Sequence, residues 1–295
     1  MVMNNGLVNA IIAYIMWGVL PLYWKLFNDV PAGEVLSHRI VWSFVFMGIL
    51  VVALQRRWGD MKRIAASRAL LLPLAASGLL IAANWLIFIW AVNNGHVVET
   101  SLGYYLNPLL NVLLAVVFLR EKPNRGQWFA IAIAGAAVLI ITIDYGRFPW
   151  IAISLAASFA LYGFAKKKIV QDASIGLLSE TAVILPVALG YWIYLAAAGK
   201  TTAWTLPAST LVELLLSGVV TALPLLFFAR AAARMSLSTL GFVQYIGPTI
   251  MLILSVFVFK ESVSPVLLVG FVLIWTALVV YAAASVRGTR LVKAS

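Results

Sequence analysis

The chain is a succession of long apolar stretches separated by short polar links. None of the stretches alternates polar and apolar positions with the period of two that marks the strands of a membrane barrel. Ten can be delimited, at roughly 6–27, 32–54, 70–92, 97–119, 127–143, 149–165, 175–197, 209–230, 236–259 and 264–285. At about 20 residues each they are long enough to cross a hydrocarbon core of about 30 Å as helices. Met1 to Ala10 carries no basic leader and no small-residue cleavage site follows it, so the first stretch reads as a retained helix rather than a signal peptide. The pattern predicts an all-α, polytopic membrane protein with ten transmembrane helices and no soluble domain in its links.

One stretch comes twice. Tyr105-Leu106-Asn107-Pro108, an apolar run and Arg120-Glu121 recur as Tyr245-Ile246-Gly247-Pro248, an apolar run and Lys260-Glu261. The copies lie 140 positions apart, with the same spacing of 13 from proline to glutamate. Such a duplication predicts two five-helix repeats, 1–145 and 146–295, around a central path. Because five is odd, the repeats must be inverted relative to one another. Pro108 and Pro248 fall at the same depth of the fourth and ninth stretches and are the expected helix breaks.

Composition agrees: 63% of residues are hydrophobic and 11% charged, with a mean hydropathy of +1.02. Soluble domains hold about 45–50% apolar and about 25% charged residues. With no cysteine, disulfide and thiolate chemistry are excluded, and His38 and His96 alone make a metal cluster an unlikely use of the chain. No cofactor or metal is expected. The net charge of +11 would suggest nucleic acid in a soluble protein. Here the basic residues set orientation: 16 of the 21 fall in alternate links and the tail, against four on the other side, while Arg39 lies inside a stretch. The positive-inside rule then places both termini in the cytoplasm.

A charge at the bilayer centre costs about 2.5–3.5 kcal/mol on insertion scales, so ionisable residues inside the stretches are candidates for function. Glu34 and His38 stand four apart on one helix face that Trp42 continues, and Arg39 lies about 100° round the helix. Arg39 needs an acceptor: an acid, a carbonyl at a broken helix, or an anionic group on a substrate. Glu180, near the start of the seventh stretch, is the rough inverted counterpart of Glu34. These two acids are the candidates for charge recognition or proton coupling, against the plainer reading of carboxylates favoured by a helix N-terminus. Glu99 and Glu213, nearer the outer ends, fit that plainer reading. Trp17, Asn84, Tyr104, Tyr105, Tyr162, Gln244 and Tyr245 are the candidate aromatic and amide lining, for which interhelical hydrogen bonding is the competing role. Trp24, Trp58, Trp128 and Trp150 read as interfacial belts. The alanines and glycine of 132–137, and those of 156–160, read as packing.

Several strings resemble the RarD family of the EamA group, in the drug/metabolite transporter superfamily. They are Trp17-Gly18-Val19-Leu20-Pro21-Leu22-Tyr23-Trp24-Lys25, Glu34 with His38-Arg39, Asn84-Trp85, and Ser101-Leu102-Gly103-Tyr104-Tyr105-Leu106-Asn107-Pro108. In the second half they are Thr221-Ala222-Leu223-Pro224 and Leu240-Gly241-Phe242-Val243-Gln244-Tyr245-Ile246-Gly247-Pro248. The resemblance implies ten helices in two inverted halves and passage of small metabolites or drugs across the bacterial inner membrane. The expected function is a non-enzymatic secondary transporter, a monomer or homodimer in the lipid bilayer. Its cargo is a small-molecule substrate, with amino acids or related zwitterions the favoured class and protons the candidate coupling ion. Alternatives are a promiscuous exporter of drugs or organic cations and, from another class, a membrane-embedded sensory or lipid-modifying protein; no partner nucleic acid is expected.

Overall fold

The computed structural model describes residues 2–27, 30–94, 96–146, 148–169, 172–202, 205–258, 260 and 264–294. Asp29, Arg147 and Glu261 lie outside the described residues. Twelve α-helices account for most of them: α1 (Val2–Trp24), α2 (Ala32–Gly48), α3 (Trp58–Ala66), α4 (Arg68–Asn93), α5 (Val97–Phe118), α6 (Arg125–Tyr145), α7 (Trp150–Lys168), α8 (Ala173–Ala197), α9 (Ala208–Ala232), α10 (Leu237–Gln244), α11 (Ile246–Ile253) and α12 (Pro265–Ala294). Among the described residues there is no strand. Eight helical runs are long and apolar enough to cross a membrane. Of the other two stretches, the apolar part of α5 is the shorter run Leu102–Phe118, and α7 ends in Lys166, Lys167 and Lys168. Apolar side chains as large as Val187, Ile193 and Leu72 are more than half exposed, as lipid-facing helix surfaces require.

Helix α2 packs between α8 and α9, α1 against α9 and α11, and α4 against α7 and α8, while α5 lies along α7 and crosses α10. Helices α6 and α12 pair with one another beside this group. Small residues set these approaches. In α6 the buried stripe is Ala130, Ala134 and Ala137, and at Gly218 of α9 a Cβ would stand 2.1 Å from the backbone carbon of Trp42. At that distance only glycine lets α9 reach α2.

The two expected helix breaks do not behave alike. Helix α5 continues unbroken through Pro108, as α1, α4, α8 and α9 continue through Pro21, Pro73, Pro186 and Pro224. In an apolar setting each lost backbone bond has no water to replace it, so the remaining ladder holds the helix together. In the second copy the helix is interrupted at Tyr245, three residues before Pro248, which therefore sits in the first turn of α11 where its missing N–H costs little. The basic ends of the two copies do agree: Arg120 and Lys260 are both left-handed, with φ of 54° and 56°.

The link rich in basic residues is not plain loop. It holds the short amphipathic helix α3, and Arg57 bridges Asp60 at 2.8 Å and Asp172 at 3.2 Å.

Candidate functional site

The side chains at issue lie on α1, α2, α4, α5, α7, α8 and α9, and they form three layers. The first surrounds Arg39. Its Nε donates to Thr221 Oγ1 at 3.2 Å, and its guanidinium carbon stands 4.4 Å from the Trp24 ring centre and 4.9 Å from that of Trp85. Tyr23 and Tyr104 are within electrostatic reach of it, and Tyr104 also packs on Phe88. Among the described residues no carboxylate lies within ion-pair distance of Arg39. Two indole faces and one hydroxyl offset part of the cost of placing a guanidinium there, each cation–π contact contributing about 0.5–2 kcal/mol. They leave the guanidinium's terminal N–H groups able to receive an anion, which a bidentate carboxylate fits best.

Beneath it lies an aromatic layer. Trp17 meets Phe159 and Phe228 at 5.6 Å between ring centres, Phe159 meets Phe228 at 5.4 Å, and Tyr14 packs on Trp17. Tyr162 stacks on Phe228 at 5.8 Å, with the rings 14° apart. These rings come from α1, α7 and α9 and fill the space between those helices.

The third layer is ionic. Lys166 Nζ is 2.6 Å from Glu180 Oε1, with 4% and 1% of the two side chains exposed. Ser77 of α4 donates to Glu180 Oε1, and the Tyr162 hydroxyl donates to Oε2 at 3.5 Å. Lys166 also lies 5.4 Å from the Tyr162 ring centre. A cavity of about 30 Å³ borders Lys166, lined also by Asp172 and Gly176 with Ala229 and Ala233 of α9.

The remaining candidates serve packing. Glu34 accepts from Thr201 Oγ1 at 2.6 Å, from Thr202 Oγ1 at 2.7 Å and from the Thr202 amide at 3.1 Å, so it fastens the start of α2 to the α8–α9 connection. His38 faces α8: its Nδ1 accepts from Trp42 Nε1 at 3.1 Å and its ring lies 4.6 Å from Trp192. Asn84 donates to the Leu155 carbonyl and to Ser158 Oγ, binding α4 to α7. Gln244 accepts from Asn111, and Tyr245 donates to the Tyr105 carbonyl at 3.2 Å, so Tyr105, Gln244 and Tyr245 join α5 to α10 and α11. Of the two coupling candidates, then, Glu34 is a latch, whereas Glu180 is half of a buried ion pair.

Three residues make contacts that their sequence positions did not announce, though Trp24 does end α1 and Glu99 does lie in the first turn of α5. Trp24, expected in an interfacial belt, covers Arg39. Lys166, expected in a basic link, is buried in α7; its position one turn after Tyr162 was the available signal, because i and i+4 share a face. Glu99, expected at an interface, is 2% exposed and accepts from Tyr145 at 2.6 Å. Thr221 was visible only within the family-like string 221–224, and Phe159, Phe228 and Ser77 were not singled out, being apolar or small.

The comparisons decide the family. The EamA-like transporter family model matches residues 4–143. Protein RarD of Escherichia coli strain K12 is 44% identical over 278 residues, covering 94% of this chain and 94% of its own length. The chain belongs to the RarD family of EamA-type transporters. An uncharacterized transporter of Vibrio cholerae is 47% identical over 94% of this chain and 92% of its own length, and the uncharacterized transporter YojE of Bacillus subtilis 43% over 97% and 96%. A solved crystal structure superposes with a TM-score of 0.71 over 94% of this chain and 96% of that one at 16% identity, a likeness of fold alone. This RarD-family chain is therefore a multi-pass membrane transporter, and its layered interior is where its cargo must be sought.

Proposed function

We propose that the protein carries small organic anions or zwitterions, amino acids among them, across the bacterial inner membrane by alternating access, with Arg39 holding the carboxylate. The observation that carries this reading is the Arg39 guanidinium itself, half-buried against Trp24 and Trp85 and paired with no carboxylate among the described residues. A promiscuous exporter of cations would need an accessible buried acid in that place. The walls are aromatic, which suits the organic part of a metabolite.

Ten membrane-crossing helices in two inverted halves, 1–145 and 146–295, with both termini in the cytoplasm, form the frame of the proposal. Four paired features support it. Arg120 and Lys260 share a rare backbone conformation 140 residues apart, and Tyr245 touches its own repeat mate, Tyr105. Ser77 and Ser217 donate to Leu74 and Leu214, three residues back in each case. Gly78 abuts Glu180 as Gly218 abuts Trp42. The last pairing makes Trp42, not Glu34, the counterpart of Glu180. With the aromatic layer as the barrier, rocking of the halves would expose Arg39 to one side and then to the other.

A thermal-shift screen of amino acids, other small carboxylates and amphiphilic cations on the purified protein tests the reading. A carboxylate should stabilise by RT ln(1 + [L]/Kd), and Arg39→Gln should abolish the shift. Stabilisation by cations alone, unchanged in Arg39→Gln, would overturn it.

A further inference from the structure

Arg39 and Lys166 are cations on either side of the aromatic layer: Arg39 above Trp17, Phe159 and Phe228, Lys166 below against Tyr162, which stacks on Phe228. Their states differ. Arg39 has no carboxylate partner among the described residues, whereas Lys166 is held by Glu180 at 2.6 Å. An anion leaving Arg39 past the aromatic layer would meet Lys166 next, and Glu180 occupies its place there.

We propose that Lys166 is a second carboxylate-binding subsite on the path, closed in this state by Glu180 and opened when Glu180 takes a proton. The proposal rests on the reading of the cargo as an anion. Protonation turns Glu180 from the counter-ion of Lys166 into a neutral acid that keeps its contacts with Ser77 and Tyr162. Lys166 retains its charge, and the cargo's carboxylate replaces that of Glu180, so one proton enters with each anion and the buried charge stays balanced. A buried ammonium left without a counter-ion is costly by several kcal/mol, so the exchange is strongly coupled. The cavity bordered by Lys166 and Asp172 opens on the Lys166 side of the pair and is the approach the proposal gives the proton. The groups around Glu180 are Lys166 and Tyr162 from α7 with Ser77 from α4, and Asp172, paired with Arg57, lies at the start of α8. The ionisable groups of α2, which packs on α8, are Glu34, held by Thr201 and Thr202, His38, which lies against Trp192, and Arg39, held by Thr221. Neighbouring α3 and α9 present the neutral Met61, Ala229 and Ala233 on this side.

Acetate serves as the probe, the smallest carboxylate that can stand in for the cargo's head group. Glu180→Gln mimics the protonated acid, and thermal unfolding of the full chain in acetate is compared with chloride at equal ionic strength. The variant should gain about 2–4 °C over the wild-type response. The gain should vanish in Lys166→Met/Glu180→Gln, which replaces the whole ion pair by neutral groups and should fold. It should persist in Arg39→Gln/Glu180→Gln, and that separates this subsite from the Arg39 reading. No extra gain in Glu180→Gln, or a gain that survives loss of Lys166, overturns the proposal. Should Glu180→Gln fail to fold, the wild type decides. Its acetate response, beyond what Arg39 contributes, must grow on going from about pH 8 to about pH 5, and that growth must be absent from Lys166→Met/Glu180→Gln; a response equal at both pH values overturns the proposal.

Discussion

At the scale of the residue, Arg39 matters for what a guanidinium can do that other cations cannot. Arg39 is held by two indole faces and one hydroxyl, contacts that suit a flat delocalised cation and suit a compact ammonium less well. Arg39→Lys should therefore keep a charge in place but weaken carboxylate binding by about tenfold, or about 1.4 kcal/mol, read by titration of the ligand found in the thermal screen. A second residue acts outside the membrane-crossing segments. Asp172 caps α8, accepting from the Ser174 amide at 2.9 Å, and pairs with Arg57. Burial pushes its carboxyl up, but the hydrogen bonds from Ser174 and the charge of Arg57 outweigh that and hold it below its usual 3.8. A carboxyl lowered by folding stabilises fully above its unfolded value and loses that contribution as pH falls through the folded one. Asp172→Ala should accordingly cost about 1 kcal/mol at neutral pH, as for other N-caps, and the difference from wild type should close in acid denaturation below about pH 3.8.

At the scale of the element, close helix approach can be separated from helix propensity. Gly218 and Gly190 both lie inside long helices, yet a Cβ at Gly218 would collide with the Trp42 backbone, while at Gly190 it would meet nothing within 4 Å. Gly218→Ala should destabilise by at least about 1–3 kcal/mol, and Gly190→Ala should be neutral or stabilising by up to about 1 kcal/mol. Measured unfolding of the two variants, side by side, checks this. The same scale explains what could be read in advance. The Glu34–His38–Trp42 stripe was legible because i,i+4 spacing fixes a shared face, and the Trp42-to-His38 hydrogen bond follows from it. The break at Pro108 was not: proline alone does not say whether a helix stops, and the bilayer penalises stopping. Nor was the role of Lys166, because three consecutive lysines look like a link until their positions around the helix are counted.

At the scale of the whole molecule, membrane character, helical class and family were all legible, because hydropathy and the repeated Tyr-x-x-Pro segment survive without any knowledge of contacts. The site was legible only in outline. Arg39, Tyr104, Trp17 and Tyr162 do fall in the layered interior, but Asn84, Tyr105, Gln244 and Tyr245 join helices, and a sequence cannot separate a polar side chain that bonds a neighbouring carbonyl from one that faces a cargo. Also hidden was how charge is shared between the two proposed halves. Arg39 comes from the first, whereas Lys166 and Glu180 come from the second, so a frame with matched features carries an unmatched charge pattern. The proposed orientation rests on the basic links. Because the natural chain has no cysteine, single cysteines introduced at Lys168 and Thr202 should react with an impermeant thiol reagent from opposite sides of sealed inner-membrane vesicles, Lys168 from the cytoplasmic side. Labelling of both from one side would contradict the proposed topology.

The most direct test of the central claim is counterflow in proteoliposomes, using the carboxylate that stabilises the protein best. Wild-type vesicles preloaded with that compound should accumulate its labelled form, and Arg39→Gln vesicles holding equal amounts of folded protein should not. Equal accumulation by both would contradict the assignment of Arg39 as the cargo's anchor.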